Sequence, residues 1–327
     1  MSVKRFMVAA LTGLIALGLS AMPSDAADKS VKLRLGHDFP EAHFYHKGAA
    51  KFAELVSQKT NGTVTVQIFP NGTLGKQGQL VEGLTMGTVD FALSNSVALE
   101  KYEKDMSVLA MPFLFKSWDQ LYRAVDGKIG ADLNKKLNKK GLDVLAYFRI
   151  GSIIINSTKP ITHPSDVSNM KLRVMPGPSM IELGKVLNAV VTPISYGEVY
   201  TALQLGTIDA QLQSVSNAMS GKHHEVAKYI CLNNVSMFLE PLTMSKMTYD
   251  RLSPDQQKAV REAAQEAAKY ERVLALEGEQ RDLKAFEEQY GVTVIRPDID
   301  EWRKVIEPIH GKFPQWAELI KEINALQ

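Results

Sequence analysis

Arg173 is the residue with the clearest chemistry to offer. It lies in the alternating run Lys171-Leu172-Arg173-Val174, just ahead of Pro176-Gly177-Pro178. Alternating charged and apolar residues predict a short strand, and Pro-Gly-Pro ends it. Strand ends that face a crevice are where open α/β sheets bind ligands. A guanidinium there presents a planar fork of donors that matches a carboxylate. Arg173, with Met175 beside the break, is therefore a candidate for anion binding. A solvated strand arginine, or one paired with a structural acid, fits the same residues. Two other strand ends carry small polar groups. His37-Asp38 follows the run from Val31 to Gly36, and Ser94-Asn95-Ser96 follows Val89 to Leu93. His37, Asp38, Ser94 and Asn95 could bond ligand hydroxyls, and Asn95 or Ser96 could equally start the next helix. Phe238 is a candidate apolar wall. His37 stands alone, and His46, His163, His223 and His224 have no pairing that suggests a metal, so neither metal nor cofactor is expected.

These residues need a scaffold, and the pattern around Arg173 supplies one. After the Pro-Gly-Pro break, Ser179 to Val186 reads as helix and Ala189 to Ile194 as strand. Ser195-Tyr196-Gly197-Glu198 has the spacing of a capping box, with Val199, Ala202 and Leu203 on the inner face of the helix it starts. Gly206 stops that helix and Ile208 to Gln211 begins another strand. Strand, helix, strand, helix, strand is an α/β unit with a mainly parallel sheet. The first half repeats the pattern. A strand over Val31 to Gly36 precedes a helix from about His43 to Thr60, then a strand over Val64 to Phe69, a helix over Gln77 to Met86 and a third strand. Helices follow from Trp118 to Val125 and Ile129 to Lys140, then a strand from Leu142 to Tyr147. Met111 to Phe115 is core. Tyr229 to Leu232 and Met237 to Ser245 are strand-like. Ser253-Pro254-Asp255-Gln256 is a second capping box that opens a helical stretch to about Tyr290, with a strand over Val292 to Ile295 and two more helices beyond. That stretch is long for one globular domain, but its small apolar residues keep no strong heptad.

The chain has 327 residues, 45% hydrophobic and 23% charged, with a formal net charge of +2. This is a soluble globular profile with room for two domains, and the near-balanced charge gives no reason to expect nucleic acid. Lys4-Arg5, an apolar run from Phe6 to Leu19 and small residues at Ser24 and Ala26 predict a secretory signal peptide over residues 1–26, cleaved after Ala26. The expected location is the periplasm, with an uncleaved anchor as the alternative. Cys231 is the only cysteine, so no internal disulfide can form, and its apolar setting predicts an inert buried thiol.

An ordered set of short motifs then carries a family resemblance. Gly72-Thr73-Leu74-Gly75, Met86-Gly87-Thr88-Val89-Asp90-Phe91, Met111-Pro112-Phe113-Leu114-Phe115, Lys171-Leu172-Arg173-Val174, Thr192-Pro193, Glu198 to Gln204, Gly206-Thr207-Ile208-Asp209 and Leu252 to Gln257 resemble the DctP-type solute receptors of tripartite ATP-independent periplasmic (TRAP) transporters. The resemblance implies two α/β domains with a ligand cleft between them and a long helix spanning both. Residues 27–150 plus 239–278 would form one domain, and residues 151–238 plus 279–327 the other. It implies that Arg173 bonds the ligand carboxylate, that Gln213 stands where an asparagine often touches the ligand, and that the Tyr196 ring packs over it. A second arginine often found ahead of Pro160 is replaced here by Ser152 and Ile153, which suggests a ligand with one carboxylate; Arg149 is the alternative in its place. The implied function is capture of a small organic acid, such as a hydroxylated sugar acid, by a monomeric receptor that delivers it to membrane permease subunits. C4-dicarboxylates and keto or aromatic acids remain open. Without a G-x-S-x-G elbow, an H-E-x-x-H motif or a phosphate loop, a periplasmic enzyme is the weaker alternative, and a sensor component with the same cleft is another.

Overall fold

The structure is a computed structural model and describes residues 30–326. Among these, nine strands form one mixed sheet: β1 (Val31–Gly36), β2 (Val64–Phe69), β3 (Phe91–Leu93), β4 (Leu142–Ser157), β5 (Lys171–Val174), β6 (Val190–Pro193), β7 (Ala210–Ser214), β8 (Tyr229–Ser245) and β9 (Thr293–Ile295). The order is β2-β1-β3-β8-β4-β7-β5-β6, with β9 on the far side of β8. β1 pairs in parallel with β2 and β3, and β5 with β6 and β7, so each flank is a small parallel sheet fed by crossover helices. The short strands and their helices fall close to the boundaries that hydrophobic periodicity predicts.

The centre differs from the sequence expectation. β4 and β8 are single strands of 16 and 17 residues, each running from one flank to the other, where the sequence reads as shorter pieces. Their antiparallel pairing shifts register between Arg149 and Gly151, opposite Leu239 and Phe238, and again between Ile153 and Ile155, opposite the segment that holds Asn233 and Asn234. Gly151 (φ +116°) and Asn234 (φ 45°) adopt the left-handed backbone that lets a strand bulge and continue. Each long strand thus bends without ending, and the two flanks become two lobes joined by continuous backbone.

The helix Pro254–Glu288 lies across both lobes. Ser253 accepts from the Gln256 amide at 3.3 Å and Gln256 accepts from the Ser253 amide at 3.1 Å, closing the capping box. Its buried face is built from Ala259, Ala263, Ala264, Ala267 and Ala268, which lets the helix Phe44–Lys59 approach closely. At the crossing, a Cβ on Gly48 would come within 2.7 Å of the Phe148 ring and 2.8 Å of the Glu271 side chain, so only glycine fits. Further along, the helix meets the helix Val215–Ser220 of the other lobe. The carboxyl-terminal segment also bridges the lobes. The Trp302 indole donates to Thr162 O at 3.2 Å, while Gln120 donates to Ile323 O at 3.0 Å and His310 meets Pro112 O at 2.7 Å.

Cys231 is buried, and burial pushes its thiol up to about 12, in keeping with an inert core cysteine.

Candidate functional site

A cleft of about 830 Å³ opens between the lobes. From the sequence candidates it gathers Arg173, Met175, Tyr196, Gln213, Asp38 and Asn95.

Arg173 is the penultimate residue of β5, where its side chain is only 1% exposed. Among the described residues its guanidinium bonds two carbonyls, Nε to Ile194 O at 3.0 Å and Nη1 to Leu212 O at 3.2 Å, and no carboxylate lies within ion-pairing distance. It is therefore neither a solvated strand arginine nor half of a structural ion pair. Burial pushes its pKa down to about 10, which leaves it a cation at neutral pH. The carbonyls take Nε and Nη1, and among the described residues Nη2 has no hydrogen-bond partner, so it can still donate to an anion.

Gln213 is buried at the end of β7. Its side-chain oxygen accepts from the Ser214 amide (3.0 Å) and from Asn217 Nδ2 (3.1 Å), which fixes the amide plane and leaves its NH₂ group as the free end. Tyr196 donates to Asn217 O at 3.0 Å, and its ring lies 4.9 Å from Phe39 and 5.5 Å from His223. Burial raises its phenol well above the ordinary value, so it stays a neutral donor. Asp38 accepts from Gln77 Nε2 at 3.1 Å, and Gln77 Oε1 takes both the Asn95 amide (2.9 Å) and Asn95 Nδ2 (2.6 Å). Asn95 Oδ1 accepts from the Ala98 amide at 3.0 Å and starts the short helix Ser96–Leu99. Asn95 thus caps a helix and also lines the cleft. Burial lifts the Asp38 carboxyl from 3.8 to about 6, against the Gln77 bond that lowers it.

Four sequence candidates lie elsewhere. Arg149 faces the long helix: Nη2 bonds Glu279 at 2.6 Å, and the guanidinium sits 3.6 Å from the Trp118 ring centroid. The bulge at Gly151 leaves Ile150, not Arg149, on the cleft side. Phe238 is fully buried in the main core and is no part of the cleft wall. Ser94 is fully buried at the end of β3, outside the cleft lining. His37 does not stand alone; its Nε2 lies 3.2 Å from His46 Nδ1, its Nδ1 accepts from the Phe39 amide, and burial lowers it to about 4.

Residues that the sequence reading passed over complete the site. Glu240 lines the cleft floor. Asn217 holds both Gln213 and Tyr196 and meets His43 Nε2 at 2.9 Å across the lobes. The rims also touch. Lys76 pairs with Glu198 at 2.9 Å, and the Ser179 hydroxyl donates to Glu100 at 2.6 Å. The Gly177 backbone lies so close to Val97 that an added Cβ would sit 2.0 Å from a Val97 methyl. A lone acid in the apolar run from Met237 to Met244 was the available signal for Glu240. Gln77 and Asn217 gave none, because polar residues in helix first turns are ordinary caps.

The cleft sets one buried cation, a fixed amide, a phenol and an acid around a cavity of small-molecule size, an arrangement that can hold a small anion. The model of the bacterial extracellular solute-binding proteins of family 7 (DctP) matches residues 35–315. The 2,3-diketo-L-gulonate-binding periplasmic protein YiaO of Escherichia coli is 33% identical, covering 97% of both chains. The C4-dicarboxylate-binding periplasmic protein DctP of Rhodobacter capsulatus is 29% identical, covering 98% of both. In three dimensions, a TRAP periplasmic solute-binding protein from Sulfitobacter sp. NAS-14.1, solved with bound β-D-galacturonate, superposes with a TM-score of 0.85 at 31% identity, covering 90% of this chain and 99% of that one.

Proposed function

This chain belongs to family 7 of the bacterial extracellular solute-binding proteins and is a TRAP transporter solute receptor, and from that premise we propose that it captures a hydroxylated organic acid on Arg173. The observation that carries the reading is the buried guanidinium whose partners among the described residues are carbonyls. A buried cation without a counter-charge is costly, and a ligand carboxylate supplies the missing charge with two charge-assisted bonds. Gln213 and Tyr196 add neutral hydrogen bonds, and Asp38 and Asn95 line the opposite lobe. Met175 supplies apolar wall.

The lobe division we propose runs through the register shift at Gly151, with residues 27–150 plus 239–278 on one side and 151–238 plus 279–327 on the other. The ligand joins the lobes, and the joined form is what membrane permease subunits would recognise on a monomeric receptor. The ligand leaves unchanged, so the protein is not an enzyme. Titration calorimetry with D-galacturonate, D-glucuronate and D-erythronate, followed by recovery of each acid, tests this. Binding with intact recovery supports the receptor; conversion of the acid, binding of none of the three, or binding that survives Arg173→Ala unaltered would overturn the reading. The signal-peptide expectation falls outside the described residues. We propose cleavage after Ala26, and amino-terminal sequencing of exported protein should then begin at Ala27; retention of Met1 would refute it.

A further inference from the structure

Glu240 is fully buried in the middle of β8 and lines the cleft floor, yet neither carboxylate oxygen has a hydrogen-bond partner. Its neighbours do not relieve it. Asp38 and Glu271 are both near enough to act on it electrostatically, and both are acids. An uncompensated buried carboxyl is destabilising by itself, so its place at the edge of a ligand cavity points to a group that arrives with the ligand.

We propose that Glu240, with Asp38 beside it, is the specificity subsite of the cleft: it receives the hydroxyls of a monocarboxylate held on Arg173 and rejects dicarboxylates. This rests on the reading of Arg173 as the carboxylate site. Ionised, Glu240 only accepts, and a hydroxyl pair donates to both of its oxygens. Protonated, it offers one donor and one acceptor, and a hydroxyl pair matches that too. A second ligand carboxylate matches neither state well. It would bring another negative charge into a cleft whose buried cation among the described residues is Arg173 alone, with Asp38 already within electrostatic reach of it. Lys76, Lys101 and Lys104 line only the mouth, where they are exposed or half-exposed, and Lys76 is already paired with Glu198. Discrimination thus comes from a repulsive element as well as an attractive one.

The test uses matched acids that differ only in the far terminal carbon: D-gluconate against D-glucarate, and D-erythronate against meso-tartrate. Wild-type protein should bind at least one hydroxylated monocarboxylate about 100-fold more tightly than its dicarboxylate partner. Glu240→Leu should raise the melting temperature of the ligand-free protein, because an unpaired buried acid is gone. It should also weaken the monocarboxylate by at least 10-fold and shrink the discrimination ratio. Asp38→Asn should shrink the ratio in the same direction, which keeps the test decisive if the leucine variant fails to fold. Tight binding of a dicarboxylate by wild type, or a ratio unaltered in both variants, would overturn the subsite while leaving the Arg173 reading intact, provided Arg173→Ala still abolishes binding. Binding of none of the four acids would overturn both.

Discussion

A guanidinium held on two carbonyls has its geometry fixed before any anion arrives, so what a substitution removes can be stated. Arg173→Ala leaves the ligand's carboxylate unpaired in a dry cleft, and the affinity loss should be about 2–5 kcal/mol. Arg173→Lys keeps the charge but not the fork, and should recover only part of that loss. Ligand-free stability should move much less than affinity. Truncation strips the donors from Ile194 O and Leu212 O but also removes a desolvated charge, and these effects oppose each other. Calorimetry with D-galacturonate beside ligand-free melting curves separates the effects, and full affinity in Arg173→Ala would remove the residue from the mechanism. Arg173 stood out by its place at a strand end before a Pro-Gly-Pro break, although a solvated or paired arginine fitted the same residues and the family resemblance alone decided for a ligand role. Asp38 and Asn95 were legible for the same reason of position. Arg149 and Phe238 misled because they flank a bulge: one residue of slip moves a side chain to the other face, and spacing does not reveal the slip. Glu240 was hidden because a strand buried on both faces shows no alternation from which to read direction.

At the scale of elements, the short flanking strands were readable because most of them alternate with helices that have an apolar face and a marked end. The two central strands were not, since Gly151 and Asn233-Asn234 look like stops and act as bulges. The sequence also gave no sign of how the rims meet. Gly177 is extended (φ −178°), so its backbone tolerates any residue; what forbids a side chain there is Val97 of the other lobe, 2.0 Å from the added carbon. The same rim carries the buried Glu100–Ser179 bond at 2.6 Å. Gly177→Ala should therefore leave each lobe folded but oppose their joining. Ligand-free melting should change little, affinity for D-galacturonate should fall at least tenfold, and the radius of gyration at saturating ligand should exceed that of wild type. The Lys76–Glu198 pair, about half exposed on both sides, should matter far less, within roughly 1 kcal/mol. Unaltered affinity and scattering in Gly177→Ala would mean that this contact has no part in closure.

The whole molecule is tied by the long helix, and its middle residue couples stability to pH. Glu271 is fully buried, one oxygen accepting from the Arg149 amide at 2.8 Å and the other unpartnered. Burial lifts its carboxyl from 4.5 to about 8; the Arg149 amide bond and the charges of Arg272 and Arg149 only partly oppose this, and Glu240 nearby is shifted the same way. The unfolded chain gives up this proton near pH 4.5 and the folded chain near 8, so the folded state holds more protons between them. Stability from this group is full below about 4.5 and falls as pH rises toward 8. Three buried histidines act in the opposite sense. His37 is lowered to about 4, and His43 and His223 to about 3, all by burial, so their contribution is full above about 6.5 and lost as pH falls. Asp38, lifted to about 6, has already titrated in both states above that pH. Between pH 6.5 and 8 these histidines are neutral in the fold, while the unfolded chain still protonates about half of each at pH 6.5, so they offset part of the glutamates' slope, equally in wild type and in a Glu271 variant. The Glu271 proton alone should lower the unfolding free energy of the ligand-free protein by about 2 kcal/mol over that interval, one proton's worth across one and a half pH steps. Glu271→Gln keeps an acceptor for the Arg149 amide and removes the titration, so its stability relative to wild type should grow by about that amount from pH 6.5 to 8 and be greatest at pH 8. Urea unfolding of both proteins at pH 6.5 and 8 measures it; a glutamine variant with the wild-type pH dependence would show that Glu271 is ionised in the fold and that the helix holds a charge there.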